Sequence, residues 1–274
     1  MLTLGPLQIP VPAVMGILNV TPDSFSDGGH FENLHIALRQ AASMAEGGAS
    51  LIDIGGESTR PGAASVSEQE ELDRIIPVIE AVRAITDAAI SVDTSKAGVM
   101  REAVAAGATM INDVAALRGE GALQAVADLG IPVCLMHMRG EPRTMQDSPR
   151  YDNVVAEVAA FLDGRIAACV EAGIGEDLIV VDPGFGFGKT HVHNVELLAN
   201  LRQLRVRERP VMVGVSRKST LGKLTQREVH ERMPASVAAA VVAVVNGASI
   251  IRAHDVQATV DALKVAQAVI EAGE

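Results

Sequence analysis

The 274-residue chain is rich in apolar residues and carries an excess of acidic side chains. Hydrophobic residues make up 48% of it, and the formal net charge is −11. Disordered chains have low hydrophobicity, so this composition predicts a folded protein with a large core. Broad binding of nucleic acid or of anionic membranes needs a basic surface, and the charge balance argues against both. A small anionic ligand remains compatible, because a few local Arg and Lys residues suffice to bind it.

Cysteine usage and the N-terminal residues bear on the compartment. Cys134 and Cys169 lie far apart and share no metal-ligand spacing, which is typical of reduced thiols in an intracellular protein. The first residues, MLTLGPLQIPVP, lack the basic segment and apolar run of a signal peptide. The sequence also contains no apolar stretch with the length and character of a membrane span. We therefore predict a cytoplasmic protein.

Short, nearly continuous apolar runs recur along the chain, as is typical of parallel strands covered on both faces. They predict eight strands, over residues 13–19, 50–56, 89–93, 108–113, 132–138, 178–182, 210–216 and 249–255. Segments with a 3.6-residue apolar period lie between them and predict helices, among others over residues 33–46, 67–85, 96–106, 121–129, 153–172 and 256–272. Many of these segments end at glycine, the favoured residue beyond a helix C-terminus.

The alternation of strands and helices predicts an α/β fold with a parallel sheet. Eight strands with about as many helices favour closure into a (β/α)8 TIM barrel over an open doubly wound sheet, and such barrels commonly have about 250 residues. Because no Pro-, Gly- or Ser-rich linker or shift in composition divides the chain, we predict a single domain over residues 1–274.

The helical segment 235–245, ASVAAAVVAVV, carries no charged residue. An outer helix of a barrel should present a polar face to water. Two explanations are open: the small side chains are buried against the strands, or a second subunit covers the outer face. The second explanation is favoured and predicts a homo-oligomer.

Polar residues follow the predicted strands at their carboxyl ends. Active sites of TIM barrels are built at this end, from the loops that follow the strands. A single Asp in such a place is usually a helix N-cap or turn residue, and Asp93 is the most cap-like because a helical pattern begins directly after it. The convergence of several polar strand ends on one rim nevertheless predicts a site, formed by Asn19, Glu57, Ser58, Thr59, Arg60, Asp93, Asn112, Asp113, Asp182, Ser216, Arg217, Lys218, Arg252 and His254.

Aromatic residues are scarce and concentrate in two Gly-rich loops. Of five Phe in the chain, four lie there, namely Phe25, Phe31, Phe185 and Phe187. They are interpreted as faces for a flat ligand or as plugs that exclude water, and loop anchoring is the alternative. His191 and His193 fall in a predicted polar loop without a nearby carboxylate, so a metal site there is disfavoured.

In chain order, the rim segments resemble the dihydropteroate synthase family over essentially the whole sequence. Eight separate matches make this resemblance specific. The segments are MGILNVTPDSFSDGG (15–29), GGESTRPGA (55–63), SVDTSK (91–96), INDV (111–114), MHM (136–138), VDPGFGFGK (181–189), GVSRKS (214–219) and RAHDV (252–256).

The resemblance implies a folate-pathway transferase that joins 4-aminobenzoate to 6-hydroxymethyl-7,8-dihydropterin pyrophosphate. It also implies Mg²⁺ as cofactor, a homodimer, and competition of sulfonamides with aminobenzoate. We expect an SN1-like path, in which the electron-rich dihydropterin supports a cation on its exocyclic methylene and the loops after the first two barrel strands exclude water.

Site roles carry over from the resemblance residue by residue. It implies a pterin site of Asp93, Asn112, Met136, Asp182, Lys218 and Arg252, with Met136 beneath the ring and Arg252 stacked on it. It implies a pyrophosphate site of Asn19, Arg252 and His254, with Asn19 also a magnesium ligand. It implies an aminobenzoate site of Phe25, Thr59, Arg60, Pro61, Phe187 and Ser216. The residues implied to act in catalysis are Asp182, Lys218, Arg252 and His254.

Two other functions fit parts of this pattern. Pterin-binding methyltransferases share the barrel and a similar Asp, Asn and Asp set, but they have no use for pyrophosphate contacts, so Thr59-Arg60-Pro61 and the Arg252/His254 pair disfavour them. A non-catalytic pterin-binding or scaffolding relative is disfavoured because the rim residues are intact.

Overall fold

The computed structural model describes residues 1–21, 30–58, 62–63, 65–140 and 144–273, with the backbone alone for residues 30–32. Its strands are β1 (Leu2–Leu4), β2 (Leu7–Ile9), β3 (Ala13–Asn19), β4 (Leu51–Gly55), β5 (Ala89–Asp93), β6 (Met110–Asp113), β7 (Val133–Met136), β8 (Ile179–Asp182), β9 (Met212–Val213) and β10 (Ile250–Ala253). Its α-helices are α1 (His30–Glu46), α2 (Glu68–Ile85), α3 (Ala97–Ala105), α4 (Ala122–Leu129), α5 (Val154–Glu171), α6 (His191–Ala199), α7 (Ser219–Thr225), α8 (Met233–Val245) and α9 (Val256–Glu271).

Strands β3 to β10 form one parallel sheet that closes on itself. Their order is β8-β7-β6-β5-β4-β3-β10-β9, and a further parallel bridge joins Val181 of β8 to Val211, one residue before β9. The predicted TIM barrel is therefore confirmed. The strand predicted over 210–216 is too long, because after Val213 the chain leaves the sheet and turns through Arg217, whose φ is 57°.

The structure differs from the sequence prediction in two further elements, the N-terminal hairpin and the start of α6. β1 and β2 pair as an antiparallel hairpin ahead of the barrel. The placement of His191 and His193 in a loop is wrong, because both lie in the first turn of α6. There the Nδ1 atom of His193 accepts a hydrogen bond from the backbone N–H of Thr190 at 3.2 Å, while the Thr190 hydroxyl accepts one from His193 N, a reciprocal N-cap. The prediction of a single domain stays a prediction.

The inward-facing side chains of the barrel form layers, because alternate residues of a strand face the same side. The lowest layer is apolar and is covered from below by Leu4 and Ile9 of the hairpin; it consists of Ala13, Met15, Leu51, Ala89, Met110, Cys134, Val180, Met212 and Ile250. Two residues further along most strands, the next inward positions are Ile17, Asp53, Ser91, Asn112, Met136, Asp182 and Arg252. The barrel thus has an apolar floor with a largely polar layer directly above it.

The larger apolar core lies between the barrel and the helices, and it includes Ile52, Ile79, Val126, Leu162 and Ile251. Local sequence signals set the helix ends. Ser67 caps α2 in a capping box with Glu70, and the Asn153 side chain caps α5. Among the described residues, no helix is both long enough and apolar enough to cross a membrane.

Candidate active site

Arg252 lies at the centre of the polar layer, between two carboxylates. Its Nε donates to Asp53 Oδ2 at 2.6 Å and its Nη2 donates to Asp93 Oδ2 at 3.0 Å. Asn112 Nδ2 also donates to Asp53 Oδ2, at 3.0 Å. Burial raises the pKa of Asp93 to about 7 against the attraction of Arg252, with the negative charge of Asp53 adding to the rise. Burial opposes the charge of Arg252, but Asp53 and Asp93 outweigh it and raise the pKa of that guanidinium.

Asp182 and Lys218 complete the charged set. Asp182 Oδ1 accepts a hydrogen bond from the backbone N–H of Gly184 at 2.7 Å. Burial raises the pKa of Asp182, and the Gly184 bond and the charges of Lys218 and Arg252 oppose that rise. Burial lowers the pKa of Lys218 to about 8, helped by Arg252 and opposed by Asp182. Asp182 ends β8 and Arg252 lies near the end of β10 in the same parallel sheet, and Lys218 contacts Phe187 in the loop after β8, so the three charged residues lie on one side of the molecule, as a shared site requires.

At the upper rim, Ser216 and His254 contact each other. The Ser216 hydroxyl lies 3.0 Å from His254 Nδ1 and accepts from the His254 backbone N–H at 3.2 Å. Burial and the nearby charges of Arg252 and Arg217 lower the pKa of His254 to about 4. In the free chain the imidazole is therefore neutral near pH 7, and its ring N–H can donate a hydrogen bond to a phosphate. Asn19 ends β3, level with Gly55 of β4.

A methionine cluster borders the charged set. Met136, Met138 and Met145 pack together with Phe187, and Lys218 Nζ lies 4.3 Å from the centre of the Phe187 ring. This contact is a cation–π interaction that fixes the lysine against the aromatic face. Phe185 is instead buried in the outer core, so it anchors its loop and does not face a ligand.

The chain is similar to known proteins over nearly its whole length. A family model described as "Pterin binding enzyme" matches residues 15–254. The chain is 52% identical over 268 residues to the dihydropteroate synthase of Escherichia coli strain K12, covering 98% of this chain and 95% of that one. The chain belongs to the dihydropteroate synthase family of pterin-binding enzymes. It is accordingly a transferase.

Solved structures of the family superpose on nearly the whole chain. The Yersinia pestis dihydropteroate synthase with a sulfonamide drug complex has a TM-score of 0.93 and 53% identity, covering 98% of this chain and 99% of its own. The Xanthomonas albilineans enzyme with 4-aminobenzoic acid has a TM-score of 0.90 and 56% identity, covering 94% and 93%. The same enzyme in complex with 7,8-dihydropteroate has a TM-score of 0.88 and 53% identity, covering 96% and 95%.

Four of the implied dihydropteroate synthase residues, Phe25, Thr59, Arg60 and Pro61, lie outside the described residues, as does the side chain of Phe31. The start of the second loop is described. Lys96 Nζ forms ion pairs with Glu57 and Glu71, and Arg74 Nη1 donates to the Gly56 carbonyl at 2.8 Å. Asp113 is a turn residue, because it accepts hydrogen bonds from the Ser95 hydroxyl and from the backbone N–H groups of Ala115 and Leu117.

Asp53 and Lys189 are buried charged residues beside the implied set that were not predicted from the sequence. Asp53 could have been recognised in the sequence, because it is the one acidic residue of an otherwise apolar strand and lies at an inward position. Lys189 is 3% exposed, and its Nζ donates to the carbonyls of Gly184 and Phe187 at 2.9 and 3.0 Å and lies 2.9 Å from His137 Nδ1. It therefore anchors the loop that follows β8 in this family member. Burial lowers the pKa of Lys189 to about 7.

The residues that the structure describes contain no group of three or more His, Cys, Asp and Glu side chains able to hold a metal ion. Asn19 offers a single neutral amide oxygen. Mg²⁺ commonly keeps several waters and binds through one or two protein groups plus substrate phosphates. The donor chemistry of Asn19 fits magnesium on those terms, as one oxygen ligand beside phosphate oxygens.

Proposed function

We propose that the chain condenses 4-aminobenzoate with 6-hydroxymethyl-7,8-dihydropterin pyrophosphate, giving 7,8-dihydropteroate and pyrophosphate in folate biosynthesis. The observation that carries the proposal is a cluster of charged side chains at the carboxyl ends of the barrel strands, with three buried carboxylates, Asp53, Asp93 and Asp182, and two partly buried cations, Lys218 and Arg252. Relatives that bind 4-aminobenzoic acid and 7,8-dihydropteroate share this fold at more than half identity. We also propose that a sulfonamide competes with aminobenzoate, as the drug-bound Yersinia relative suggests.

The pterin would be held through its guanidine-like edge and its opposite carbonyl. Asp182 is a buried carboxylate that can accept two parallel N–H donors, and charge-assisted bonds of this kind are short and strong. Lys218 would donate to the carbonyl and ring nitrogen on the other side. Asn112 can both donate and accept, which suits mixed ring positions. Asp93 would take a further ring donor, and Met136 would lie beneath the ring.

Arg252 and His254 would act on the leaving group. The bond between the exocyclic methylene carbon and the pyrophosphate oxygen breaks first, and the electron pair leaves with pyrophosphate while the dihydropterin carries the cation. Arg252 keeps its charge throughout, because its pKa is raised by two carboxylates. It would stabilise the negative charge that develops on the leaving oxygen, while neutral His254 donates a hydrogen bond. When bound at Asn19, Mg²⁺ would neutralise pyrophosphate charge in the same region.

The aminobenzoate nitrogen then attacks the methylene carbon, a C–N bond forms, and the nitrogen loses its proton to water. An arylamine needs no strong base for this step. Phe187 and Ser216, both beside the charged set, would border the aminobenzoate together with Phe25, Thr59, Arg60 and Pro61.

We further propose a homodimer, because α8 carries exposed apolar residues. We also propose a cytoplasmic location, with which the free thiols of Cys134 and Cys169 agree.

The test is an assay of the purified full chain with both substrates, with and without Mg²⁺. We expect 7,8-dihydropteroate and pyrophosphate to form in equal amounts and only with Mg²⁺ present. A methyltransferase would release no pyrophosphate, and a non-catalytic relative would bind the pterin in calorimetry without turning it over. Either of these results would overturn the proposal.

A further inference from the structure

Asp53 lies one layer deeper in the barrel than Asp93, one of the two carboxylates assigned to the pterin. In the strand register, Asp53 of β4 is level with Ser91 of β5, whereas Asp93 is two residues nearer the carboxyl end and level with Gly55. The Asp53 side chain is 0% exposed, against 9% for Asp93. A ligand that enters from the strand ends therefore meets Asp93 first, and Asp53 lies beneath it.

Two donors converge on one oxygen of Asp53. Its Oδ2 accepts from Arg252 Nε at 2.6 Å and from Asn112 Nδ2 at 3.0 Å. Because Asp53 Oδ2 accepts from the Arg252 guanidinium, it also accepts from the amide, and this selects the orientation in which Asn112 Nδ2 faces Asp53. Asn112 is then left with its Oδ1 and one N–H for a ligand. Asp53 thus determines both the direction of the guanidinium and the donor–acceptor pattern of the amide.

The two carboxylates that hold Arg252 differ in what happens when substrate binds. A pterin donor at Asp93 competes for the oxygen that now accepts from Arg252 Nη2. Asp53 is 0% exposed and lies beneath Asp93, so a ligand that engages Asp93 does not require its bond to Nε to break. Among the described residues, only the N–H on Nε of the five guanidinium N–H groups is then bonded to the protein, and those on the two Nη atoms are available to pyrophosphate.

Stability does not account for this arrangement. The second carboxylate oxygen, Asp53 Oδ1, is buried and has no hydrogen-bond partner among the described residues. A buried ion pair that leaves an oxygen unpaired contributes little to folding, and apolar residues of similar volume commonly do as well or better. The effect of Asp53 is instead to orient its two donors, the Arg252 guanidinium and the Asn112 amide.

From these contacts we propose that Asp53 is a positioning residue: it fixes Arg252 for the leaving group and Asn112 for the pterin, without touching substrate itself. This inference rests on the proposed function. Removing the carboxylate while keeping its shape, as in Asp53→Asn, should release the guanidinium. A displacement of about 1 Å at a catalytic group can cost about 100-fold in rate.

The experiment is a double-mutant cycle with Asp53→Asn, Arg252→Ala and the double variant, each measured for kcat and for the KM of both substrates. We expect Asp53→Asn to lower kcat about 10- to 100-fold with the KM for aminobenzoate unchanged. In the Arg252→Ala background the same change should alter kcat less than about threefold, because no guanidinium remains to be positioned. Losses that multiply in the double variant would overturn the inference.

A second measurement, of pterin binding, tests whether Asp53 orients Asn112. Asp53→Asn should weaken binding of 6-hydroxymethylpterin without pyrophosphate in calorimetry, and should not weaken it further when Asn112 is Ala. Asp113→Asn is the matched control, since Asp113 is equally buried on β6 but bonds Ser95 and backbone groups. Its effect on kcat should simply multiply with that of Arg252→Ala.

Asp53→Glu covers the case in which Asp53→Asn does not fold. It keeps the charge but moves the carboxylate by one methylene, and we expect a folded chain with lowered kcat. Wild-type kcat in Asp53→Glu would overturn the inference. If the wild-type chain itself forms no dihydropteroate, the proposed function fails; if it does and the variants behave independently, only the role of Asp53 fails.

Discussion

At the scale of single residues, burial and pairing set the charge states in the barrel. Desolvation raises the pKa of Asp93 to about 7 and lowers that of Lys218 to about 8, so both groups lie closer to neutrality than they would in water. Arg252 keeps its charge because two carboxylates contact it. A neutral, donor-rich heterocycle can therefore displace part of this network at a modest electrostatic cost, while an anionic group meets a permanent cation.

Asp182→Asn tests the pterin contact. An amide of the same shape replaces a charge-assisted bond by a neutral one, which weakens one interaction of about 1.5–3 kcal/mol. We expect the affinity for 6-hydroxymethylpterin to fall about 10- to 100-fold in calorimetry. Asp163→Asn, at an exposed residue of α5 that pairs with Arg207, should bind as the wild type does. Equal affinity of Asp182→Asn and the wild type would remove Asp182 from the pterin site.

His254 gives a prediction on pH. Its pKa is lowered to about 4 in the free chain, and a bound pyrophosphate would raise it by stabilising the imidazolium. Between these two pKa values the complex holds more protons than the free chain, so binding takes up a proton and weakens as the pH rises.

Calorimetry of pyrophosphate binding at about pH 5, in two buffers of different ionisation enthalpy, measures this uptake. Pyrophosphate also exchanges protons on binding, so the comparison is between the wild type and His254→Gln under identical conditions. We expect less proton uptake in the variant. The same uptake in both would show that His254 does not face the anion.

The grouping of Asp182, Lys218 and Arg252 could be predicted from the sequence, because each lies at or just after the carboxyl end of a strand. The role of Asp53 was harder to predict, because Asp53 lies inside an apolar strand. Whether it belongs to the site depends on which face of β4 points into the barrel. Lys189 could not be predicted at all. Its partners are the carbonyls of His137, Gly184 and Phe187, and only the folded loop brings these groups together.

At the scale of elements, the β1–β2 hairpin closes the end of the barrel opposite the site. Leu4 and Ile9 are 1% and 3% exposed and cover the apolar floor that includes Met15 and Ile250. Eight parallel strands leave inward side chains at their amino ends that would otherwise meet water. The hairpin therefore completes the core without contributing to the catalytic layer.

Leu4→Ala tests this role. Removing a buried leucine side chain costs about 2–5 kcal/mol of unfolding free energy, because a cavity remains in a packed layer. We expect that loss in urea unfolding, with kcat unchanged because Leu4 lies below the floor. Thr3→Ala, at the exposed residue next to it, should stay within about 0.5 kcal/mol of the wild type. A negligible loss for Leu4→Ala would mean that the hairpin only rests on the barrel.

The barrel strands were predictable because each is a short apolar run before a polar rim. The hairpin could not be predicted, because each of its strands has only three residues. Nothing in the segment LTLGPLQI or beside it in the sequence indicates that it covers the end of the barrel. β9 was predicted too long for a related reason. The run PVMVGVS has no polar residue before Ser216, but Val215 and Ser216 belong to the turn that presents Lys218.

At the scale of the whole molecule, three neighbouring helices expose apolar side chains to the outside. Val192 and Val195 of α6, Val242 and Val245 of α8, and Val265 and Val269 of α9 are each between 43% and 68% exposed. α8 packs against both α6 and α9, so these side chains lie on adjoining elements. Exposed apolar side chains on adjoining helices are typical of a subunit interface. The uncharged sequence of α8 is consistent with its exposed valines, and the homodimer stays a prediction.

The double variant Val242→Lys/Val245→Lys tests whether this surface joins two copies of the chain. Two lysines on one face of α8 would have to lose their hydration in an isologous interface, where each would also lie near its symmetry mate. We expect light scattering to report a dimer for the wild type and a monomer for the variant, with unchanged circular dichroism. Ile85→Lys is the matched control: Ile85 is 50% exposed at the end of α2, which packs against α1 and α3 on another part of the barrel, and this variant should remain dimeric. A dimer in the double variant, or a monomer in the wild type, would mean that the apolar side chains of α8 face solvent and that no second subunit accounts for its uncharged sequence.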